Sequence, residues 1–179
     1  MSSRTVLSGS DIDRAVTRIA HEIVESNQGT ENLILLGIPT RGVLLAERIA
    51  KVLERSYPDF RAESSLGRLD ITMYRDDLSS HPTREVTETQ IPSDGVDDKV
   101  VVLVDDVLFS GRTIRAALDA LGDYGRPRAV RLAVLVDRGH RQLPIRADFV
   151  GKNLPSSVAE RIRVQLSETD SDNSVVIEG

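Results

Sequence analysis

Apolar residues fall into two patterns along the chain: short continuous runs, and repeats spaced three and four residues apart. Ile12, Ala15, Val16, Ile19, Ile23 and Val24 follow the second, which predicts a helix from Asp11 to about Glu25 with Ser10 as its N-cap. Asn32 to Gly37 follows the first. Pro39-Thr40-Arg41-Gly42 then breaks the run, and Val43 to Arg55 resumes helical spacing through Leu44, Leu45, Ile49, Val52 and Leu53. A second strand–loop–helix unit runs from the β-branched segment Val100 to Val104, through Asp105-Asp106 and Ser110-Gly111, into a helix from Thr113 to Tyr124. Val130 to Val136 repeats the strand pattern. Continuous apolar strands are buried on both faces, and strands alternating with helices predict an α/β fold built on a mostly parallel sheet with right-handed crossovers.

Leu69 to Tyr74 reads as a further strand. The stretch Arg75 to Asp98 is polar and holds two prolines, which predicts a long mobile excursion of the kind that covers an active site. Near the end, Arg161 to Leu166 alternates apolar and polar residues, and Val175 to Ile177 predicts a last strand after the polar turn Ser167 to Ser174. No internal repeat and no heptad pattern is present. With 179 residues the chain fits one domain.

Composition narrows the chemistry. Hydrophobic residues at 40 % and charged residues at 28 % are those of a globular chain. The absence of cysteine excludes disulfides, thiolate metal sites and thiol catalysis. No apolar run approaches the roughly 20 residues that cross a bilayer, and Met1 to Thr5 leads into no apolar signal segment, so the expectation is a cytoplasmic protein with no membrane partner. The formal net charge is −5, yet 20 of the 23 basic residues are arginine, the side chain whose fork fits phosphate.

The segment Val101 to Thr113 has the makings of a sugar-phosphate cradle. Its strand delivers Asp105 and Asp106 to the carboxyl edge of a parallel sheet, where ligands sit in such folds, and carboxylates accept from a ribose diol. Ser110-Gly111-Arg112-Thr113 then offers hydroxyls, backbone N–H groups and a helix N-terminus to a phosphate. Taken singly, Asp106 or Ser110 could equally be a helix cap, and Arg41 in the loop after the earlier strand could be a surface cation.

This segment resembles the phosphoribosyl-pyrophosphate (PRPP) signature of type I phosphoribosyltransferases. Together with Gly37 to Gly42, Leu69 to Asp77, Val134 to Arg141, Leu143 to Asp148 and Gly151 to Asn153, it resembles the bifunctional PyrR family, over nearly the whole chain. The resemblance implies a type I phosphoribosyltransferase fold, with a central sheet flanked by helices, a mobile loop at about 75–98 and a hood at about 151–179. It implies uracil phosphoribosyltransferase activity, uracil and PRPP giving UMP and pyrophosphate, with Mg²⁺ entering alongside PRPP rather than in a metal site of the protein's own. Residue by residue, Asp105 and Asp106 would face the ribose hydroxyls, Val107, Leu108, Phe109, Ser110, Gly111, Arg112 and Thr113 would wrap the 5′-phosphate, and Thr40 and Arg41 would form the pyrophosphate loop. Asp105, Asp106 and Arg41 are the expected catalytic residues. Purine transferases with this motif carry an acidic residue two places before the motif glycine. Phe109 stands there instead, which weighs against a purine. The base would be read around Val136, Asp137 and Arg138 and by the hood up to Val158.

Family members also regulate pyrimidine biosynthesis genes by binding an mRNA hairpin in a manner controlled by uridine nucleotides, UMP and UTP. Arg14, Thr17, Arg18 and His21 form one stripe of the first helix. With His140, Arg141, Arg146 and Lys152 they are the expected RNA contacts, although the stripe read alone is equally a solvated helix face. His21 could be plain surface and Arg146 a local ion-pair partner. The family forms homodimers and larger homo-oligomers. Two other readings stay open at this point: a regulator whose transferase site only senses nucleotide, and a salvage transferase for another base without an RNA role.

Overall fold

The computed structural model describes residues 2–77 and 86–179. At its centre lies a five-stranded, all-parallel sheet in the order β3-β2-β4-β5-β6: β2 Leu33–Gly37, β3 Leu66–Arg68, β4 Val100–Leu108, β5 Ala129–Asp137 and β6 Phe149–Asn153. Three helices flank it, α1 Gly9–Asn27, α2 Arg41–Ser56 and α4 Arg112–Gly122, with a single turn, α3 Ala62–Ser65, between α2 and β3. A second, antiparallel sheet of three strands joins the two ends of the chain, β1 Ser3–Leu7 pairing with β8 Ser174–Glu178, which pairs with β7 Arg161–Gln165. Among the described residues no helix is long and apolar enough to cross a membrane.

The apolar strand β4 explains the layering. Its alternate residues Val102 and Val104 belong to the core under α1, α2 and the small sheet, and Val101 and Leu103 to the core under α4. A strand buried on both faces gains from β-branched residues throughout. On α1, the apolar stripe from Ile12 to Val24 is buried and the opposite face stays in solvent.

Three expectations change. The cap of α1 is Ser8, not Ser10: the Ser8 hydroxyl accepts from Asp11 N at 3.2 Å while the Asp11 carboxylate accepts from Ser8 N at 2.9 Å, a reciprocal box that starts the helix two residues earlier. Leu69 to Tyr74 is not a strand. The chain leaves the sheet after Arg68, because the Asp70 carboxylate accepts from both Thr72 N (2.9 Å) and the Thr72 hydroxyl (2.6 Å) and turns Thr72–Tyr74 into 3₁₀ helix. Leu69 and Ile71 are nonetheless buried, so their alternation marks core contact and not strand geometry. The segment 151–179 is divided: Gly151–Asn153 belongs to the main sheet through β6, and the small sheet draws its third strand from the N-terminus. Of the expected excursion at 75–98, residues 78–85 lie outside the described residues. On either side of them, Arg68 and Gln90 form an isolated antiparallel bridge, and Val96 is buried under α4.

Candidate active site

The carboxyl ends of β2 and β4 and the loops that follow them enclose a cavity of about 580 Å³. Thr40, Arg41, Asp105, Asp106, Val107 and Thr113 line it together. Sequence position separates these residues by up to 73 places, and the parallel register of β2 on β4, with Gly37 opposite Val104, is what brings them to one edge. Gly42 makes the approach possible. A Cβ there would lie 2.3 Å from the Val104 carbonyl oxygen, so only glycine lets the start of α2 rest on β4 beside Asp105. The Pro39–Thr40 peptide in the same loop is cis.

Asp105 is buried and its carboxylate accepts from Asp106 N at 2.9 Å, while that of Asp106 accepts from Val107 N at 2.8 Å. These bonds hold both side chains against the strand end. Asp70, Thr72, Arg75 and Thr87 also line the cavity; the first three belong to the Leu69 to Asp77 block of the family resemblance, which by itself assigns them no role at the site. The signal for Arg75 was present in the polar run after Tyr74, but its partners are set by the fold: it forks onto Asp77 at 2.8 and 3.0 Å and donates to the Thr113 hydroxyl at 3.3 Å. The hydrogen bond to Asp77, and beyond it the charges of Asp77, Asp105 and Asp76, make this guanidinium hold its proton more tightly than usual. The Thr87 hydroxyl is buried with no hydrogen-bond partner among the described residues.

Arg41 projects from the first residue of α2 and forks onto Asp170, donating from Nε at 3.2 Å and Nη2 at 2.9 Å. Seven residues on, Arg48 forks onto Glu168 at 2.8 and 2.6 Å and donates to the Asn173 side-chain oxygen Oδ1 at 2.6 Å. The turn between β7 and β8 is thus fastened to α2 by two bidentate pairs.

The rest of the motif does not line this cavity. Leu108 is buried in the core under α4. Gly111 takes a left-handed φ of 93° and its missing Cβ faces Ile145 at 3.0 Å, so the chain turns sharply into α4. Arg112 N donates to the Ser110 hydroxyl at 3.3 Å, and the Arg112 side chain forks between the Asp76 carboxylate (2.6 Å) and the Gln142 side-chain oxygen Oε1 (2.9 Å).

A second cavity of about 530 Å³ lies past the end of β5, lined by Asp137, Arg138, Gly139, His140, Arg141 and the chain from Asn153 to Ser156. Arg138 sets its shape. Buried at 7 % exposure, it donates to Ser156 Oγ (3.1 Å) and to the carbonyls of Ser157 (2.8 Å) and Glu160 (2.9 Å), and its guanidinium stacks 4.3 Å over the Phe109 ring. Burial makes it hold its proton less tightly than an exposed arginine. The Phe109 ring meets His140 edge-on at 6.0 Å, and His140 Nε2 bonds the Ser156 carbonyl. The side chain of Val136 is fully buried, so only its backbone can face a ligand. Val158, 67 % exposed, lines neither cavity.

The expected RNA contacts separate. Arg14 is in solvent apart from its pair with Asp11, and Lys152 and Arg146 are exposed. Arg18 instead reaches β6, donating to the carbonyls of Val150 (3.1 Å) and Gly151 (2.6 Å), and so seals the edge of the main sheet. Thr17 turns its hydroxyl back to the Asp13 carbonyl, and His21 bonds the Tyr57 hydroxyl at 2.8 Å. Each nitrogen of the Arg141 guanidinium makes one bond, to Asp137 (2.5 Å), the Phe109 carbonyl (2.9 Å) and the Ile145 carbonyl (2.9 Å). Its arrangement is that of a brace between loops.

Comparison with known proteins agrees with this geometry. The sequence profile of the phosphoribosyl transferase domain matches residues 3–168. The chain is 63 % identical to the bifunctional protein PyrR of Streptomyces coelicolor over 98 % of its own length and 89 % of that protein, and 63 % identical to that of Leifsonia xyli over 99 % and 98 %. The Deinococcus radiodurans protein of the same name is 56 % identical over 96 % and 92 %. In structure, a hypoxanthine-guanine phosphoribosyltransferase from Bacillus anthracis superposes with a TM-score of 0.72 at 16 % identity, covering 98 % of both chains. A hypoxanthine phosphoribosyltransferase from Staphylococcus aureus gives 0.69 at 18 %, over 97 % of this chain and 90 % of the other, a likeness of fold alone. The five-stranded parallel sheet and these matches together place the chain in the type I phosphoribosyltransferases and, among them, in the PyrR family.

Proposed function

We propose that the protein transfers the phosphoribosyl group of PRPP to uracil, releasing pyrophosphate and UMP, and that it controls pyrimidine biosynthesis genes by binding mRNA in response to uridine nucleotides. The convergence of Thr40-Arg41, Asp105-Asp106 and Thr113 in one cavity carries the first half. Asp105 and Asp106 would accept from the ribose diol, the turn into α4 would take the 5′-phosphate on first-turn N–H groups and hydroxyls, and Thr40 and Arg41 would meet the pyrophosphate. Transfer breaks the bond from C1 to the pyrophosphate oxygen and forms one from C1 to a ring nitrogen of uracil, which loses its proton. The transition state is cation-like, so these residues act by orientation and by balancing charge.

Asp105 and Asp106, both lining the cavity, are also the carboxylates suited to a Mg²⁺ held chiefly by phosphate oxygens and water. Bound there, the ion would neutralise the departing pyrophosphate. The second cavity, with Phe109, Arg138 and His140 around it, suits a flat uncharged ring. The reading includes a homodimer or larger homo-oligomer.

Release of pyrophosphate from PRPP and Mg²⁺ tests the reading, with uracil, hypoxanthine and orotate supplied in turn. Turnover with uracil alone, lost in the Asp105→Asn/Asp106→Asn double variant, is expected. Tight UMP binding without turnover on any base would instead make the site a nucleotide sensor.

A further inference from the structure

The pair Arg41–Asp170 joins two parts of the molecule that the sequence keeps 129 residues apart, the loop at the cavity and the turn of the small sheet. Its geometry is selective. Asp170 takes the Nε–Nη2 edge of the guanidinium, and Nη1 has no hydrogen-bond partner among the described residues, while Arg41 itself lines the cavity. A guanidinium held along one edge is fixed in plane and direction and keeps its remaining donors for a second acceptor. Arg41 is a third exposed and Asp170 less, so the pair is sheltered without being sealed from a ligand.

Asp170 is itself held in place. One of its oxygens accepts from Leu166 N at 2.8 Å, and its turn is anchored a second time where Arg48 binds Glu168 and Asn173. The Leu166 backbone bond first, and Arg41 next, keep the Asp170 carboxyl below the usual carboxylate range, so it is an anion at neutral pH. An unanchored carboxylate would follow a mobile arginine; this one cannot.

We propose that Asp170 is a positioning residue of the transferase site, holding Arg41 so that its unpaired donors meet the pyrophosphate group of the substrate and product. The assignment rests on reading the Thr40–Arg41 loop as the pyrophosphate arm. It makes the small sheet part of the active site's support, although none of its strands lines the cavity.

Binding of inorganic pyrophosphate, in the presence of Mg²⁺, and of UMP would be measured for the full chain, Arg41→Ala, Asp170→Asn and the double variant, with KM for PRPP and kcat beside them. Asp170→Asn is expected to weaken pyrophosphate and raise KM for PRPP by roughly tenfold, while UMP binding stays within about twofold. In the Arg41→Ala background the same substitution should change pyrophosphate binding by less than twofold, because Asp170 acts only through Arg41. Equal losses from Asp170→Asn in both backgrounds, or matched loss of UMP, would overturn the proposal in favour of a general structural role. Tighter pyrophosphate binding in Asp170→Asn would also overturn it, showing that the carboxylate competes with the ligand. Should Arg41→Ala leave pyrophosphate binding intact, the pyrophosphate-arm reading itself falls, and the proposal with it. Should Arg41→Ala weaken binding and Asp170→Asn not, only the positioning role falls.

Discussion

Arg138 shows how far a single residue's role depends on what surrounds it. Its three hydrogen bonds end on the segment Ser156 to Glu160, and its flat face covers Phe109, so it fastens the wall of the second cavity while lying too deep to act as a surface cation. Arg138→Ala removes all of these and leaves the Glu160 carbonyl without its donor, while the Ser157 carbonyl keeps its bond from Glu160 N. We expect a loss of about 2–4 kcal/mol in stability, read by urea unfolding, with a rise in KM for uracil larger than that for PRPP. Arg138→Lys should recover little, since an ammonium cannot make the forked contacts. Gly42 is the opposite case, a residue that matters for what it lacks. Gly42→Ala drives a methyl into the Val104 carbonyl, and either the start of α2 or the end of β4 must move. A loss of about 1–3 kcal/mol is expected, with weakened PRPP binding because Thr40 and Arg41 are carried by the same turn. The sequence makes both residues visible and neither role: Gly42 reads as a turn glycine, and Arg138 as a residue near the base.

At the scale of elements, α1 separates what periodicity determines from what capping does. Its buried stripe is fully legible from Ile12 to Val24, but two serines compete for the start, and only the reciprocal bonds of Ser8 and Asp11 decide between them. Ser8→Ala should therefore lower stability by about 1 kcal/mol, and Ser10→Ala by a few tenths at most, in paired thermal or denaturant unfolding. The central strands β2, β4 and β5 are legible because each holds a continuous apolar run bounded by polar residues or turns. Elements whose pattern is short or shared are not. Leu69 and Ile71 alternate like a strand because both face core, yet the Asp70–Thr72 turn forbids extension, and β1 is too polar at Ser3 to Thr5 to announce its pairing with β8. The helix face opposite the stripe was legible as charged but not as divided. Arg18 is tied to β6 while Arg14 is not, so in binding to a pyrimidine-operon hairpin Arg14→Ala and Lys152→Ala should each reduce the salt slope by up to about one. Arg18→Ala should in addition loosen the β6 edge, read as faster hydrogen exchange at Val150 to Lys152.

For the molecule as a whole, the two sheets are joined across α2 by a pair of arginine–carboxylate forks, and this makes their union sensitive to acid. Glu168 is held below the ordinary carboxylate range chiefly by its hydrogen bond from Arg48, and Asp170 chiefly by its bond from Leu166 N and then by Arg41. Because both are depressed in the folded state, their contribution to stability is complete above the unfolded carboxylate values, near pH 4, and is lost as pH falls through the lower folded values. Stability should thus be insensitive to these groups from pH 7 down to about 5 and decline below 4. The Glu168→Gln/Asp170→Asn variant should begin less stable and show a shallower decline, measured by denaturant unfolding at a series of pH values. Pyrophosphate binding should weaken over the same acidic interval more steeply in the parent than in that variant, because in the parent Arg41 loses its ionised partner and in the variant it has none to lose. A transferase whose small sheet merely closed the two ends of the chain would lose stability in acid without this accompanying change in ligand binding, and comparison of the two pH profiles separates the alternatives.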